Sequence, residues 1–269
     1  MLRFSGAGVS DVGRVRPHNE DAAFLGPYVA VVADGVGGAA AGEVAAATTA
    51  YVVAATALAR FGEDPAAVLV RASADALASV RAGVCADEQR TGMATTLTAV
   101  VTDGTRVVLG HVGDSRAYVW RDGSLRQVSR DHTYVQQLVD SGQLDPGDRA
   151  GHPWSNIVLR SVTSGEELQL DLTRLDVAPG DRLLLCSDGL TDLVPDADLA
   201  EALSALEDPF DAAVELTRLA LVAGGRDNVT ALVIDVVDGP LVVGDGAVLG
   251  ALADPLHNVV DPTAVRATA

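Results

Sequence analysis

The chain has 269 residues, 48% of them hydrophobic but only 4% aromatic, so it is long enough for one large domain whose core must be built mainly from Ala, Val and Leu. It carries 37 acidic against 19 basic residues, a formal net charge of −18. That balance argues against non-specific nucleic-acid binding and against docking on an anionic membrane, both of which need clustered Lys and Arg. Two isolated cysteines, Cys85 and Cys186, make neither a disulfide framework nor a zinc site and point to a reducing, cytoplasmic setting.

The N-terminus has no apolar signal-peptide core. Runs at 22–25 and 28–33, split by Gly26-Pro27, predict a pair of strands. Residues 44–60 and 66–81 predict two Ala-rich helices, with Pro65 placed where the second would start. The first contains the least charged long run in the chain. It falls about one residue short of the ~17 needed to span a bilayer, and reads as a buried helix. Four strand-like runs follow, at 94–102, 106–112, 116–121 and 125–128, with Asp103-Gly104 and Asp122-Gly123 at hairpin positions.

Residues 133–141 predict a helix, and 142–164 an irregular excursion. Strands are expected at 168–177 and 182–187, helices at 196–206 and 209–222, and a last strand at 229–236. Residues 238–269 have scattered Gly, Pro and Asp with no period and are expected to form a loosely ordered extension. Grouped strands and paired helices argue for antiparallel sheets with helices outside, rather than alternating βαβ units.

Asp-Gly occurs six times, at 34, 103, 122, 188, 238 and 245, and its ordinary meaning is a turn. Two of these pairs differ in context. Asp34 ends the apolar run VAVVAD, and Asp188 ends RLLLCSD; neither leads straight into a returning strand. Each sets a carboxylate at the end of a buried strand, which is costly unless the charge is paired or holds a metal. Asp114 after VVLGHV, Asp227 before the last strand, and Glu20 with Asp21 before the first repeat that placement. Any one of these acids alone would read as a solvated loop acid or a helix cap. Together, as an all-oxygen cluster, they favour Mg²⁺ or Mn²⁺ over Zn²⁺.

The segments RPHNED (16–21), VVADGVGG (31–38), GMATTLTAV (92–100), GHVGDSRAY (110–118), RDHT (130–133), CSDGLTD (186–192) and GGRDNVT (224–230) occur in an ordered set. The chain thereby resembles the PP2C-type (PPM) protein serine/threonine phosphatases in their compact bacterial form. The resemblance implies an α+β fold, a four-layer αββα sandwich of two antiparallel sheets flanked by helix pairs. A phosphatase domain would fill residues 1–237, with a flap at about 131–165.

It also implies two Mn²⁺ or Mg²⁺ ions. Asp34 would bridge them, Asp188 and Asp227 would complete one site, and the Gly35 carbonyl would serve the other. Glu20, with Asp21, would stand behind the metals and hold their waters. Asp114 with Asp188 would form a weaker third site, and Arg16 would grip the substrate phosphate. The implied reaction is hydrolysis of phosphoserine or phosphothreonine on proteins, by in-line attack of a water bridging the metals. The implied partners are phosphoproteins and a serine/threonine kinase, with the chain a monomer. The chain departs from the family where Val36 replaces the usual Met and Ala39 the usual His, so no side chain is assigned to protonate the leaving group. The competing readings are a regulatory module of the same fold without turnover, and a hydrolase of small phosphoesters.

Overall fold

The computed structural model describes residues 1–36, 41–149, 152–165, 167–244 and 246–260. In chain order its elements begin with β1 (Leu2–Asp11), β2 (Asp21–Leu25), β3 (Val29–Asp34), α1 (Gly42–Ala59) and α2 (Pro65–Ala86). The middle of the chain forms β4 (Ala94–Thr95), β5 (Leu97–Thr102), β6 (Val107–Val112), β7 (Arg116–Arg121), β8 (Ser124–Gln127), α3 (Tyr134–Asp140), β9 (Val162–Thr163) and β10 (Asp171–Leu175). Then come β11 (Arg182–Cys186), α4 (Asp188–Thr191), α5 (Asp196–Ala205), α6 (Pro209–Val222), β12 (Val229–Asp238), β13 (Ala247–Gly250) and α7 (Pro255–Asn258).

Two antiparallel sheets face each other, ordered β1-β12-β11-β7-β8 and β10-β6-β5-β3-β2-β13. Between them lies an aliphatic core that includes Val32, Val100, Leu185 and Ile234. The outer face of the six-stranded sheet packs on α1 and α2 through Ala and Val contacts. The outer face of the five-stranded sheet packs on α5 and α6. This is the four-layer αββα sandwich. Small side chains let the layers approach closely, which is how a chain so poor in aromatics fills its interior. Helix α1 is long and apolar enough to cross a membrane, but it is 61% buried inside the protein, as the sequence reading expected.

Local chemistry sets the element ends. Asp64 caps α2 by accepting from the Ala67 N–H, with Pro65 at its first turn. Asp122 and Gly123 both have positive φ and turn β7 into β8, as a two-residue hairpin requires.

Two parts of the chain differ from expectation. Strand β1 was not predicted, because LRFSGAGVSD lacks alternation and contains two glycines. Those glycines are required: a Cβ on Gly6 would lie 2.3 Å from the Val233 carbonyl oxygen, and one on Gly8 2.3 Å from a Leu232 methyl. Nor is the 238–269 extension loose over its described residues 246–260. There β13 pairs with β2, Leu252 is fully buried, and the Val260 N–H donates to Thr48 Oγ1 of α1 at 2.9 Å. A four-residue strand carries too short a pattern to show in sequence; long-range burial is what orders it. Asp245 and Ala39 lie outside the described residues.

Candidate active site

The predicted acids come together because strand ends converge at one edge of the sandwich. Asp34 closes β3, and Asp21 stands directly opposite it at the start of β2. Asp114 follows β6, Asp188 follows β11, and Asp227 precedes β12. The last three line one cleft of about 590 Å³, and Asp34 lies alongside. Burial pushes the Asp34 carboxyl well above the usual carboxylate range, and repulsion from Asp21, Asp188, Asp114 and Asp227 adds to it. Asp188 is raised well above it too, by burial and then by Asp114, Asp192 and Asp227. Asp114 and Glu20 are raised as well, burial first in each case. Acids that raise one another this way form an electrostatic unit short of positive charge.

The motif residues explain how the acids are held. The Asp34 N–H donates to Thr96 Oγ1 at 2.9 Å, while the Asp34 carbonyl accepts from the Thr96 N–H and from Thr95 Oγ1, both at 2.9 Å. Thr96 Oγ1 in turn sits 2.7 Å from Ser115 Oγ. Asp21 is fully buried; its Oδ2 accepts from Ser187 Oγ and Thr230 Oγ1, both at 2.7 Å. Its Oδ1 is buried with no hydrogen-bond partner.

Each of the two singled-out glycines is required by close approach. A Cβ on Gly35 would lie 2.6 Å from the Gly42 carbonyl carbon, where α1 begins. On Gly189 it would lie 2.0 Å from the Asn228 carbonyl oxygen. Gly104 and Gly123, by contrast, sit at positive φ in turns.

Arg16 reaches the cluster, donating from Nη2 to Asp227 Oδ2 at 2.7 Å. Glu20 sits below α1, its backbone N–H donating to Asn228 Oδ1 at 2.8 Å. Residues 131–149 and 152–165, where a flap is expected, contribute α3, the β9 pairing with β4, and cleft-lining residues that include Arg149, Ser155 and Asn156.

Three features escaped the sequence reading. Asp192, the second acid of CSDGLTD, lines the cleft with its pKa raised by burial; its motif position was the available signal. Asn228 bonds the Val12 and His18 carbonyls at 2.9 Å each, which pins the Arg16 loop to β12. Asp131, nearly buried, accepts from Arg116 Nη2 at 2.6 Å and Gln127 Nε2 at 2.8 Å, and Arg149 Nη1 of the flap lies 3.8 Å away. That knot needs distances no sequence spacing gives.

Among the described residues, no three His, Cys, Asp or Glu side chains close on one point as a finished coordination shell. The donor chemistry nevertheless fits hard divalent cations. The donors are all oxygen, the carboxylates repel one another in a poorly solvated place, and one buried carboxylate oxygen has no partner.

The protein phosphatase 2C profile matches residues 18–224 of this two-sheet sandwich, a span that includes Asp34, Asp114 and Asp188. The chain belongs to the protein phosphatase 2C family. It is 44% identical over 245 residues to the serine/threonine protein phosphatase PstP of Mycobacterium tuberculosis, covering 88% of this chain and 46% of PstP. The chain therefore spans about half the length of that relative. The serine/threonine phosphatase Stp of Listeria monocytogenes is 32% identical over 255 residues, covering 84% of this chain and 93% of Stp. Among solved structures, the catalytic domain of PstP in complex with two manganese ions superposes with a TM-score of 0.79 at 42% identity, covering 88% of this chain and all of that one.

Proposed function

We propose that this chain is a metal-dependent phosphatase of phosphoserine and phosphothreonine in proteins. The observation that carries this is the convergence of Asp34, Asp114, Asp188 and Asp227 at one cleft, each raising the Asp34 pKa or raised with it. Two Mn²⁺ or Mg²⁺ ions fit there, and the manganese-bound PstP structure supports the choice. Asp34 would serve both, Asp188 and Asp227 one, and the Gly35 carbonyl the other, with Glu20 beside them; Asp114 and Asp188 suit a weaker third. When bound, such cations lower the pKa of water and neutralise charge on phosphoryl oxygens.

The chain's own residues do the rest. Arg16, held near Asp227, meets the substrate phosphate with a planar pair of N–H donors. Asp21, locked by Ser187 and Thr230, stands opposite Asp34 at the start of β2. Val36 offers no proton to the leaving alkoxide.

The counterpart is a serine/threonine kinase that makes the substrate, and the two unpaired cysteines support a reducing compartment. The test compares turnover of a phosphoserine peptide, p-nitrophenyl phosphate and small sugar phosphates with Mn²⁺ and with chelator. Mn²⁺-dependent hydrolysis with the peptide preferred bears the reading out. Preference for the small esters would favour the metabolite hydrolase, and absence of metal-dependent turnover on every substrate would favour the regulatory module.

A further inference from the structure

The protein is strongly acidic, yet it sets three arginines on two adjoining loops, of which Arg226 lines the acidic cleft and Arg16 bonds Asp227 in its wall. The loop before β2 carries Arg14 and Arg16, and the loop before β12 carries Arg226. The loops are tied together: the Arg14 N–H donates to the Gly225 carbonyl at 2.8 Å, and Asn228 bonds the Val12 and His18 carbonyls. Gly224 and Gly225 both have positive φ, and this double turn aims residue 226. Arg226 lines the cleft, next in sequence to Asp227, and the same lining includes Gly189 and Asp192.

The cleft's cations are not equivalent. Arg116 is committed to Asp131 by bonds as short as 2.6 Å. Arg149 is shared between Asp131 and Gln136, and Arg16 is bonded to Asp227. Among the described residues, Arg226 is the cleft-lining arginine whose side chain has no hydrogen bond or ion pair, and it is exposed. A guanidinium held at the wall of a substrate cleft, without an internal carboxylate, is a receptor for a substrate anion.

We propose that Arg226 docks a second anionic group of the substrate: a phosphate or carboxylate one or two residues from the phosphoserine being hydrolysed. This rests on the phosphatase reading above and adds to it a preference for doubly phosphorylated or acid-flanked sites. A flanking anion would otherwise meet Asp192 and be repelled; Arg226 reverses that sign. Whether the anion is phosphate or carboxylate is decided by the peptides used.

The experiment measures kcat/KM, with Mn²⁺, for three matched phosphoserine peptides whose flanking position holds Ala, Glu or a second phosphoserine, on either side. A charge-assisted bond contributes ~1.5–3 kcal/mol, so the wild-type preference over the Ala peptide should be about tenfold or more. Arg226→Gln should bring the ratio toward one, Arg226→Lys should keep part of it, and Arg226→Glu should invert it. A ratio in Arg226→Gln equal to wild type, or an equal loss on all three peptides, overturns the proposal. The same peptides' Kd values give the comparison without turnover. If no peptide is hydrolysed the phosphatase reading fails, while the Kd ratio still decides the role of Arg226.

Discussion

Gly189→Ala tests how the site is assembled. The added Cβ would lie 2.0 Å from the Asn228 carbonyl oxygen and 3.4 Å from Asp227 Cβ, where ordinary contact begins near 3.4 Å. The clash is with backbone, so no rotamer change relieves it. The start of α4 and the turn before β12 must separate by ~1 Å, and they carry Asp188 and Asp227. Overpacking of this kind costs about 1–3 kcal/mol, which lowers Tm by roughly 2–12 °C for a chain near this size. A shift of ~1 Å between groups that act together can cost on the order of a hundredfold in rate. The assay is a thermal melt in chelator together with a Mn²⁺ titration of p-nitrophenyl phosphate turnover. A lowered Tm, with the Mn²⁺ midpoint moved at least tenfold upward, is expected. Wild-type Tm and wild-type Mn²⁺ midpoint together would refute the close-approach argument.

Three further outcomes are expected. Arg116→Met leaves the buried Asp131 without its bidentate partner and should cost about 3–5 kcal/mol in denaturant unfolding, with part recovered by adding Asp131→Asn; an unchanged midpoint would contradict the knot. Burial, with repulsion from His132, lowers the His111 pKa to about 4, so the unfolded chain binds the extra proton first, and stability is lost as pH falls from ~6.5 through about 4. Between pH 7 and 5 wild type should therefore lose ~2 kcal/mol relative to His111→Gln, and parallel pH curves for the two would contradict it. Ending the chain at Gly244 removes β13, buried Leu252 and Val260; Tm should fall by several degrees, whereas an unchanged melt would mean the extension contributes nothing.

Most of the sandwich was legible because its strands are short apolar runs bounded by Gly, Pro and Asp, and its helices lack breakers. What was not legible depends on contacts made at distance. Strand β1 is set by the close approach of Gly6 and Gly8 to β12. The order in residues 246–260 comes from Thr48 and from the Gly83–Met93 surface that receives Val260. The site divided the same way. Asp34 and Asp188 stood out because a carboxylate after a buried strand demands a reason. Asn228 and the Arg116–Asp131 pair could not stand out, because their partners lie 210 and 15 residues away. Asp21, expected beside Glu20 near the metals, is fully buried opposite Asp34, where its Oδ2 accepts from Ser187 and Thr230.

The central claim is that these carboxylates hold catalytic cations, with Asp34 shared between them. The direct measurement is calorimetric Mn²⁺ titration of wild type and Asp34→Asn, paired with phosphopeptide turnover at saturating Mn²⁺. Two tight sites in wild type, with tight binding and turnover both lost in Asp34→Asn, is the predicted result. Full turnover by Asp34→Asn at saturating Mn²⁺ would contradict it.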